Sequence, residues 1–217
     1  MPIDLYHYPA SAPCRATRLT AAALGLDLNL KLVDLSKGEH LTPEYLKRNP
    51  QHTIPTVDDN GFVIWESRAI MAYLAEQYAG KNESLYPKDP KIRAVIHQRL
   101  CFDLATLYRA FGDYYHPLFF TGATGGPDLL KKIPPALELF DKFLEGRKYA
   151  AADTLTIADL ALVVTVSNFE AVDYDLSNYK NVTKWFALIK SEAPKYQEIN
   201  GEGAKQFGAF IKSVKQK

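Results

Sequence analysis

Tyr8-Pro9-Ala10-Ser11-Ala12-Pro13-Cys14-Arg15 is the stretch of sequence that decides the fold. It follows a short apolar run, Ile3-Asp4-Leu5-Tyr6, that predicts a strand, and it precedes residues 16–24, which predict a helix. Pro13 is tolerated in a first helical turn, because the N–H that proline lacks has no intrahelical partner there. A helix N-terminus presents free N–H donors and a partial positive charge. The stretch therefore predicts a strand-to-helix loop with Ser11 at an anion-favouring helix end.

The composition narrows the class of protein. A chain of 217 residues suits one large domain or two small ones, and a net charge of +1 gives no sign of a nucleic-acid or anionic-membrane partner. The two cysteines, Cys14 and Cys101, lie in different segments, which favours neither a disulfide framework nor a metal site. No signal-peptide pattern opens the chain, and no apolar run approaches the ~20 residues of a membrane span. We expect a cytoplasmic protein without a membrane partner.

The order of elements in the first eighty residues predicts a mixed sheet. Further elements are a strand over 28–33, a short helix over 43–49 capped by Thr42, a strand over 53–57, a strand over 62–65 and a helix over 66–78. The early strand–helix–strand unit implies a parallel pair, and the tight turn at Asn60-Gly61 adds an antiparallel hairpin. Four such strands covered by helices form the thioredoxin arrangement. Since Pro55 cannot donate to a strand ladder, we expect a cis Ile54–Pro55 bond.

Within a thioredoxin-like domain, Ser11-Ala12-Pro13-Cys14 has the spacing of a Cys-x-x-Cys redox pair whose first cysteine is replaced by serine. A serine there cannot exchange disulfides, but it can donate a hydrogen bond to the thiolate of another molecule. The simpler interpretation of Ser11 is an ordinary helix N-cap.

Other positions favour one kind of ligand. Glu66 and Ser67 begin a helix whose N-terminus can hold a carboxylate, and the backbone of Ile54 can pair with an extended peptide. His40 and His52 lie in neighbouring loops. Each has a plain explanation, as a surface histidine or a helix-start residue. Together they fit a small peptide that carries a thiol and a carboxylate at each end.

These motifs resemble the cytosolic glutathione transferases, and the insect delta class in particular. The resemblance is carried by the Ser11-to-Arg15 stretch and by Asn49-Pro50-Gln51-His52-Thr53-Ile54-Pro55-Thr56, Asp58-Asp59-Asn60-Gly61-Phe62 and Trp65-Glu66-Ser67-Arg68-Ala69-Ile70. It covers essentially the whole chain. It implies a thioredoxin-like glutathione-binding domain over residues 1–80, a linker over 81–89, and an all-helical domain over 90–217 that carries the hydrophobic substrate site. It also implies a homodimer.

The second half of the chain shows only helical patterns. A stripe from Ile92 to Phe111 predicts a long helix over 90–120, bent near Gly112, and the polar residues 212–217 predict a solvated tail. Pro134-Pro135 interrupts another stripe, so we expect a kink or a restart there. Thr156 and Asp159 form a capping box at the start of a buried helix. Helices over 178–190 and 194–200 complete the predicted bundle.

The resemblance assigns roles to individual residues. Ser11 holds the sulfur of glutathione as thiolate. The remaining glutathione contacts are the backbone of Ile54 with its neighbours Thr53 and Pro55, Glu66 and Ser67 on the γ-glutamyl end beside Arg68, and His40 and His52 at the glycyl carboxylate. The hydrophobic substrate is assigned to Tyr108, Phe111, Tyr115, Phe119 and Phe207, although aromatic residues at helical spacing more often form a core. Glutathione is a co-substrate, and no cofactor or metal is expected.

Two alternatives differ from a glutathione S-transferase that detoxifies hydrophobic electrophiles. Cys14 would be the nucleophile of a glutathione-dependent thiol transferase, as in omega-type relatives, although a buried cysteine more often serves as a small hydrophobic side chain. The same fold would also serve as a non-catalytic carrier of hydrophobic ligands. A conjugation assay with glutathione separates these functions.

Overall fold

The computed structural model describes residues 2–80 and 83–215, so the first two residues of the predicted linker lie outside the described residues. A four-stranded sheet forms the N-terminal domain, with strand order β2-β1-β3-β4. Its strands are β1 (Ile3–His7), β2 (Leu28–Leu32), β3 (Thr56–Asp59) and β4 (Phe62–Trp65). β1 pairs with β2 in parallel, and the other two pairings are antiparallel. The predicted mixed sheet is confirmed.

Helices α1 (Ala12–Leu24), α2 (Pro43–Arg48) and α3 (Ser67–Gln77) complete this domain. Ile3, Leu5, Val57, Ile70 and Leu74 form the buried cluster that joins the sheet to α3. The pleat places Ile3 and Leu5 on one face of β1, where the side chains of alternate residues point the same way.

The loop before β3 differs from the prediction. The Ile54–Pro55 bond is cis, as expected. The strand, however, begins at Thr56 and not at residue 53. Pro55 has no N–H to give to the ladder, so pairing starts after it. The hairpin turn is confirmed, with Asn60 at φ 53° and Gly61 at φ 94°.

The C-terminal domain consists of helices joined by loops, with no strand among the described residues 83–215. Its helices are α4 (Pro90–Phe102), α5 (Tyr108–Tyr115), α6 (Leu118–Thr121), α7 (Pro127–Leu130), α8 (Ile133–Phe143), α9 (Ile157–Ala171), α10 (Lys180–Glu192) and α11 (Glu202–Lys215). Two π-helical turns interrupt the pattern, Asp103–Leu107 between α4 and α5 and Gln197–Gly201 before α11. In the part of the chain that the structure describes, no helix is long and apolar enough to cross a membrane.

The helix bounds bear on three predictions about this domain. A π-helical turn at Asp103–Leu107 interrupts the predicted helix over 90–120, and α5 ends at Tyr115, while the bend near Gly112 stays a prediction. Both Pro134 and Pro135 lie in the first turn of α8, so the predicted restart is confirmed. Lys212 belongs to α11 and is exposed, so the predicted tail is solvated at this residue although it is helical there, and residues 216–217 lie outside the described residues.

The capping box that begins α9 is confirmed, and its residue Asp159 also forms hydrogen bonds outside α9. The carboxylate of Asp159 is fully buried and accepts hydrogen bonds from the N–H (3.0 Å) and hydroxyl (2.9 Å) of Thr156. It also accepts from the N–H of Ala150 at 2.8 Å and from the indole N–H of Trp185 at 2.9 Å. Asp159 therefore joins α9 to α10 and to the loop before α9. α9 in turn packs against α1, the helix that follows the Ser11 loop. The Ser11 loop therefore lies near the boundary between the two domains.

Candidate functional site

Ser11 occupies the N-cap position of α1 in extended backbone, with φ −68° and ψ 119°. Its side chain makes no capping hydrogen bond, although serine is a favoured cap. Its N–H donates to the carbonyl of Tyr8 and its carbonyl accepts from the N–H of Arg15, both at 3.0 Å. The first helical residues, Ala12, Pro13 and Cys14, carry no negative charge. The backbone is thus held in place while the hydroxyl lies at a positive helix end.

Cys14 lies directly behind this loop and is fully buried. Burial raises the pKa of its thiol to about 11, and a hydrogen bond with Ser11 offsets only part of that effect. The thiolate fraction at neutral pH is therefore negligible. A protonated, inaccessible thiol is a poor nucleophile, which disfavours the thiol-transferase alternative.

The structure brings His40 and His52 together, although they lie in separate loops. Their ring centroids are 6.3 Å apart. His52 is exposed and has a left-handed backbone at φ 47°, while His40 is half-buried. In the described part of the chain, the buried Nδ1 of His40 has no hydrogen-bond partner. The pair can therefore offer ring N–H donors to a carboxylate at this end of the site.

The side chains of Tyr45 and Asn49 anchor the loop over residues 53–55. The carbonyl of Thr53 accepts from the hydroxyl of Tyr45 at 2.7 Å and from the side-chain amide of the buried Asn49 at 3.0 Å. Among the described residues, none makes a hydrogen bond with the backbone of Ile54. The loop is thus anchored at Thr53 and leaves the Ile54 backbone available to pair with a ligand.

Glu66 and Ser67 lie where β4 turns into α3. Glu66 is exposed and has φ 70°, a backbone conformation that costs a non-glycine residue free energy and often occurs at functional sites. Its carboxylate accepts from the side-chain amide of Gln51 at 3.2 Å, and Gln51 accepts from the indole N–H of Trp65 at 2.8 Å. Ser67 is buried at the first position of α3. Gln51 and Trp65 lie within the motifs that carry the resemblance, yet the sequence alone indicates no role for them.

The guanidinium of Arg68 binds side chains of the protein interior. Its guanidinium donates to the hydroxyl oxygen of Ser67 at 2.8 Å and forms an ion pair with the fully buried Asp103. The other oxygen of Asp103 accepts from the hydroxyl of Thr165 at 2.7 Å. Sequence reasoning missed Asp103 and Thr165, because only the fold brings them to Arg68. The hydrogen bond from Arg68 holds the side chain of Ser67 in place.

The five aromatic residues assigned to the hydrophobic substrate fall into two groups. Tyr108 is half-buried with its ring 5.5 Å from the Arg68 guanidinium, and Phe119 is 38% exposed. Phe111, Tyr115 and Phe207 are buried; Phe111 stacks on Tyr115 with centroids 4.7 Å apart. These three side chains form the core behind the surface that Tyr108 and Phe119 reach. Their part in substrate binding stays a prediction.

A cavity of about 830 Å³ opens on the outer side of α5. Its walls include Leu104, Ala105, Tyr108, His116, Pro117 and Phe120. His116 was missed from the sequence, since no motif marks it. Its ring stacks on Phe119 at 5.4 Å, and burial lowers the pKa of its imidazole. A Cβ at Gly112 would lie 3.0 Å from this ring, so the glycine leaves room for it.

Comparison with known proteins agrees with the geometry. The glutathione S-transferase N-terminal domain model matches residues 5–82, and the C-terminal domain model matches residues 127–195. A delta-class glutathione transferase of Nilaparvata lugens is 58% identical, with a TM-score of 0.95 over 98% of this chain and 100% of that chain. A glutathione transferase of Bombyx mori is 49% identical, with a TM-score of 0.93 over 97% and 98% of the two chains. A glutathione transferase homologue of Drosophila mojavensis, solved with bound glutathione, is 37% identical, with a TM-score of 0.90 over 98% and 97%.

Proposed function

The chain belongs to the glutathione S-transferase family, in its insect delta class, and from that premise we propose that Ser11 is the group that holds the thiol of glutathione as thiolate. The thiolate then attacks a hydrophobic electrophile, which is the chemistry of detoxification. The observation that carries the proposal is the placement of the Ser11 hydroxyl, which does not cap the first turn of α1, a turn without an acidic residue. Glutathione is the co-substrate, and the proposed reaction needs no cofactor.

The stabilisation available at Ser11 is large enough to keep the glutathione thiol ionised at neutral pH. A free thiol has a pKa of about 8.5, so only a few per cent is thiolate at pH 7. Lowering that pKa by about two units requires roughly 2.7 kcal/mol of preferential stabilisation of the thiolate. A charge-assisted hydrogen bond contributes about 1.5–3 kcal/mol, and a helix N-terminus adds up to about 1–2 kcal/mol. A neutral serine at this position is therefore an adequate catalytic group without a general base.

The rest of glutathione is proposed to lie along the surface from α3 to the paired histidines. Glu66 and Ser67 hold the γ-glutamyl end, with Arg68 fixing Ser67. The backbone of Ile54 pairs with the cysteinyl unit, and Thr53 and Pro55 shape the loop. His40 and His52 bind the glycyl carboxylate, a role supported by the 6.3 Å separation of their rings.

The electrophile is proposed to lie between the Ser11 loop and the aromatic residues of the helical domain. Tyr108 and Phe119 offer it accessible apolar surface, and the core rings Phe111, Tyr115 and Phe207 support that surface from behind. Holding the thiolate and the electrophile side by side removes much of the entropic cost of a bimolecular reaction. On this proposal residues 1–80 carry glutathione, 81–89 link the domains, and 90–217 carry the second substrate.

A homodimer in the cytoplasm is proposed as the working form. Large apolar side chains lie exposed on both domains, among them Phe62 on β4 (50% exposed) and Leu104 beside α4 (46% exposed). Such residues are suited to an interface in which the first domain of one subunit meets the long helices of the other. Sedimentation showing only monomer near micromolar concentration would rule the dimer out.

Steady-state conjugation of glutathione to chlorodinitrobenzene tests the role of Ser11. Ser11→Ala removes the donor, so kcat/KM is expected to fall roughly 10- to 150-fold, the rate equivalent of a charge-assisted hydrogen bond. The dissociation constant of glutathione, measured by calorimetry, is expected to stay within about threefold, since most of the peptide contacts lie elsewhere. Ser11→Thr keeps a hydroxyl and serves as the matched control. Full conjugation by Ser11→Ala would show that Ser11 is not the activating group.

A further inference from the structure

Arg15 lies one turn into α1 and is fully buried, yet neutral groups surround its charge. Its guanidinium donates hydrogen bonds to side-chain oxygens of the helical domain, namely Ser167 (3.1 Å), Asn200 (2.5 Å) and Asn168. Among the described residues, no carboxylate forms an ion pair with it, and its Nε has no hydrogen-bond partner. Burying a cation without a counter-ion is costly in free energy, so the arrangement calls for an explanation.

The titratable neighbours of Arg15 do not supply the missing negative charge. Cys14, Tyr108 and Tyr196 are the groups whose charges would act on it. Burial raises the pKa of each of these three groups, so all are uncharged at neutral pH. Burial also lowers the pKa of Arg15 to about 10, which leaves the guanidinium protonated at neutral pH.

The nearest carboxylates on the packed elements have other partners. Asp103 is paired with Arg68, and the charge of Glu198 acts on Arg18, further along α1. Glu170, whose charge acts on Tyr196, is paired with Lys190 at 2.6 Å. Glu202, next to Gly203 of α11, accepts from the side-chain amide of Gln197 at 3.4 Å. Among the described residues, therefore, no carboxylate compensates the positive charge of Arg15.

Arg15 lies close enough to Ser11 for its charge to act on a ligand bound there. Its N–H donates to the carbonyl of Ser11 at 3.0 Å, so the two residues are one helical turn apart, about 6 Å along the axis, and share a face of α1. A Cβ at Gly203 of α11 would lie 2.4 Å from Cδ of Arg15 and 2.5 Å from the carbonyl oxygen of Pro9. α11 therefore packs directly on the arginine stem and on the Ser11 loop, and excludes water between them.

We propose that Arg15 is a positioning residue whose uncompensated buried charge stabilises the thiolate of glutathione at Ser11, with the neutral side chains of the helical domain keeping that charge unpaired. The inference rests on the proposed function. It makes the helical domain a determinant of thiol reactivity, in addition to a binding surface for the second substrate. A single charge in a partly desolvated cleft acts over about 10 Å, and the expected shift of the thiol pKa is about one unit.

The test is the pKa of the thiol in the enzyme–glutathione complex, followed by the ultraviolet absorbance of the thiolate against pH. Asn200→Asp places a carboxylate where an amide oxygen now accepts from Arg15, and Arg15→Gln removes the cation. Both are expected to raise the thiol pKa by about one unit and to slow conjugation about fivefold at pH 6.5. Arg15→Lys keeps the charge and is expected to keep the low thiol pKa.

Thermal unfolding of each variant separates this role from a structural one. A structural role alone predicts that Arg15→Gln and Arg15→Lys lower the melting temperature while the thiol pKa stays within about 0.2 units of the parent value. An unchanged thiol pKa in Arg15→Gln or in Asn200→Asp, whichever unfolds cooperatively, overturns the proposal. Ser11→Ala is titrated in parallel: an unchanged thiol pKa there overturns the role of Ser11 itself, whatever the Arg15 and Asn200 variants show.

Discussion

Ser11 and Cys14 show how burial decides the role of a residue. Both lie at the N-terminus of α1, and the cysteine has the more reactive functional group. Cys14 is fully buried and its thiol pKa is raised to about 11, whereas Ser11 is half-buried and its hydroxyl does not cap the helix. The serine is therefore suited to serve a ligand, and the cysteine is suited to fill the core.

This difference predicts how the two cysteines respond to oxidised glutathione. Cys101 is exposed on α4, so it is expected to form a mixed disulfide, while the buried Cys14 is expected to stay reduced. Mass spectrometry of peptides after incubation at neutral pH measures both in one sample. A glutathione adduct on Cys14 under native conditions would revive the thiol-transferase alternative.

His7 makes stability depend on pH. It is 5% exposed, and burial lowers its pKa to about 4. Between about pH 6.5 and 4 the unfolded chain therefore binds a proton that the folded chain does not, so stability is lost as the pH falls through this window. The loss is expected to reach about 3 kcal/mol.

Urea unfolding at pH 7 and at pH 4.5 measures this contribution. His7→Leu removes the titrating group together with a buried Nδ1 that has no partner in the described structure, so its stability is expected to fall less than that of the parent protein. Parallel losses in the two proteins would exclude His7 as the source.

At the scale of elements, the contact of α11 with the Ser11 loop is the tightest constraint on the site. A methyl group at Gly203 would overlap both Arg15 and the carbonyl of Pro9. Gly203→Ala is therefore expected to cost about 1–3 kcal/mol of stability and to lower kcat, because the loop or the helix must shift.

Gly126 provides the matched control for that substitution. A Cβ there meets nothing within 4 Å, and its φ of −65° suits any residue. Gly126→Ala is expected to change stability by less than about 0.5 kcal/mol and to leave conjugation unchanged. Equal effects of the two substitutions on conjugation would contradict the constraint that we assign to α11.

Elements with local signals were predictable from the sequence. The Asn60-Gly61 turn, the Thr156–Asp159 capping box and the restart at Pro134-Pro135 each depend on a few adjacent residues, and each is confirmed. The π-helical turn at Asp103–Leu107 was not predicted, because it leaves no local signal in the apolar pattern.

At the scale of the whole molecule, the contacts between the two domains could not be predicted from the sequence. Arg15 contacts Ser167 and Asn200, which lie 152 and 185 positions away, and Arg68 meets Asp103 at a separation of 35 positions. No periodicity or motif relates such residues, since only the packing of α1 and α3 against the helical domain brings them together. The resemblance predicts the glutathione contacts, which stay predictions, whereas neither the motifs nor the resemblance pointed to the buried partners of Arg15 and Arg68.

The pKa of the glutathione thiol in the wild-type complex tests the account most directly. Ultraviolet titration of the bound thiolate is expected to give a pKa about two units below the roughly 8.5 of a free thiol. In Ser11→Ala most of that shift is expected to disappear while glutathione still binds. A bound thiol that titrates as free glutathione does in the wild-type protein, or that titrates identically in the wild type and Ser11→Ala, would contradict thiolate stabilisation by Ser11.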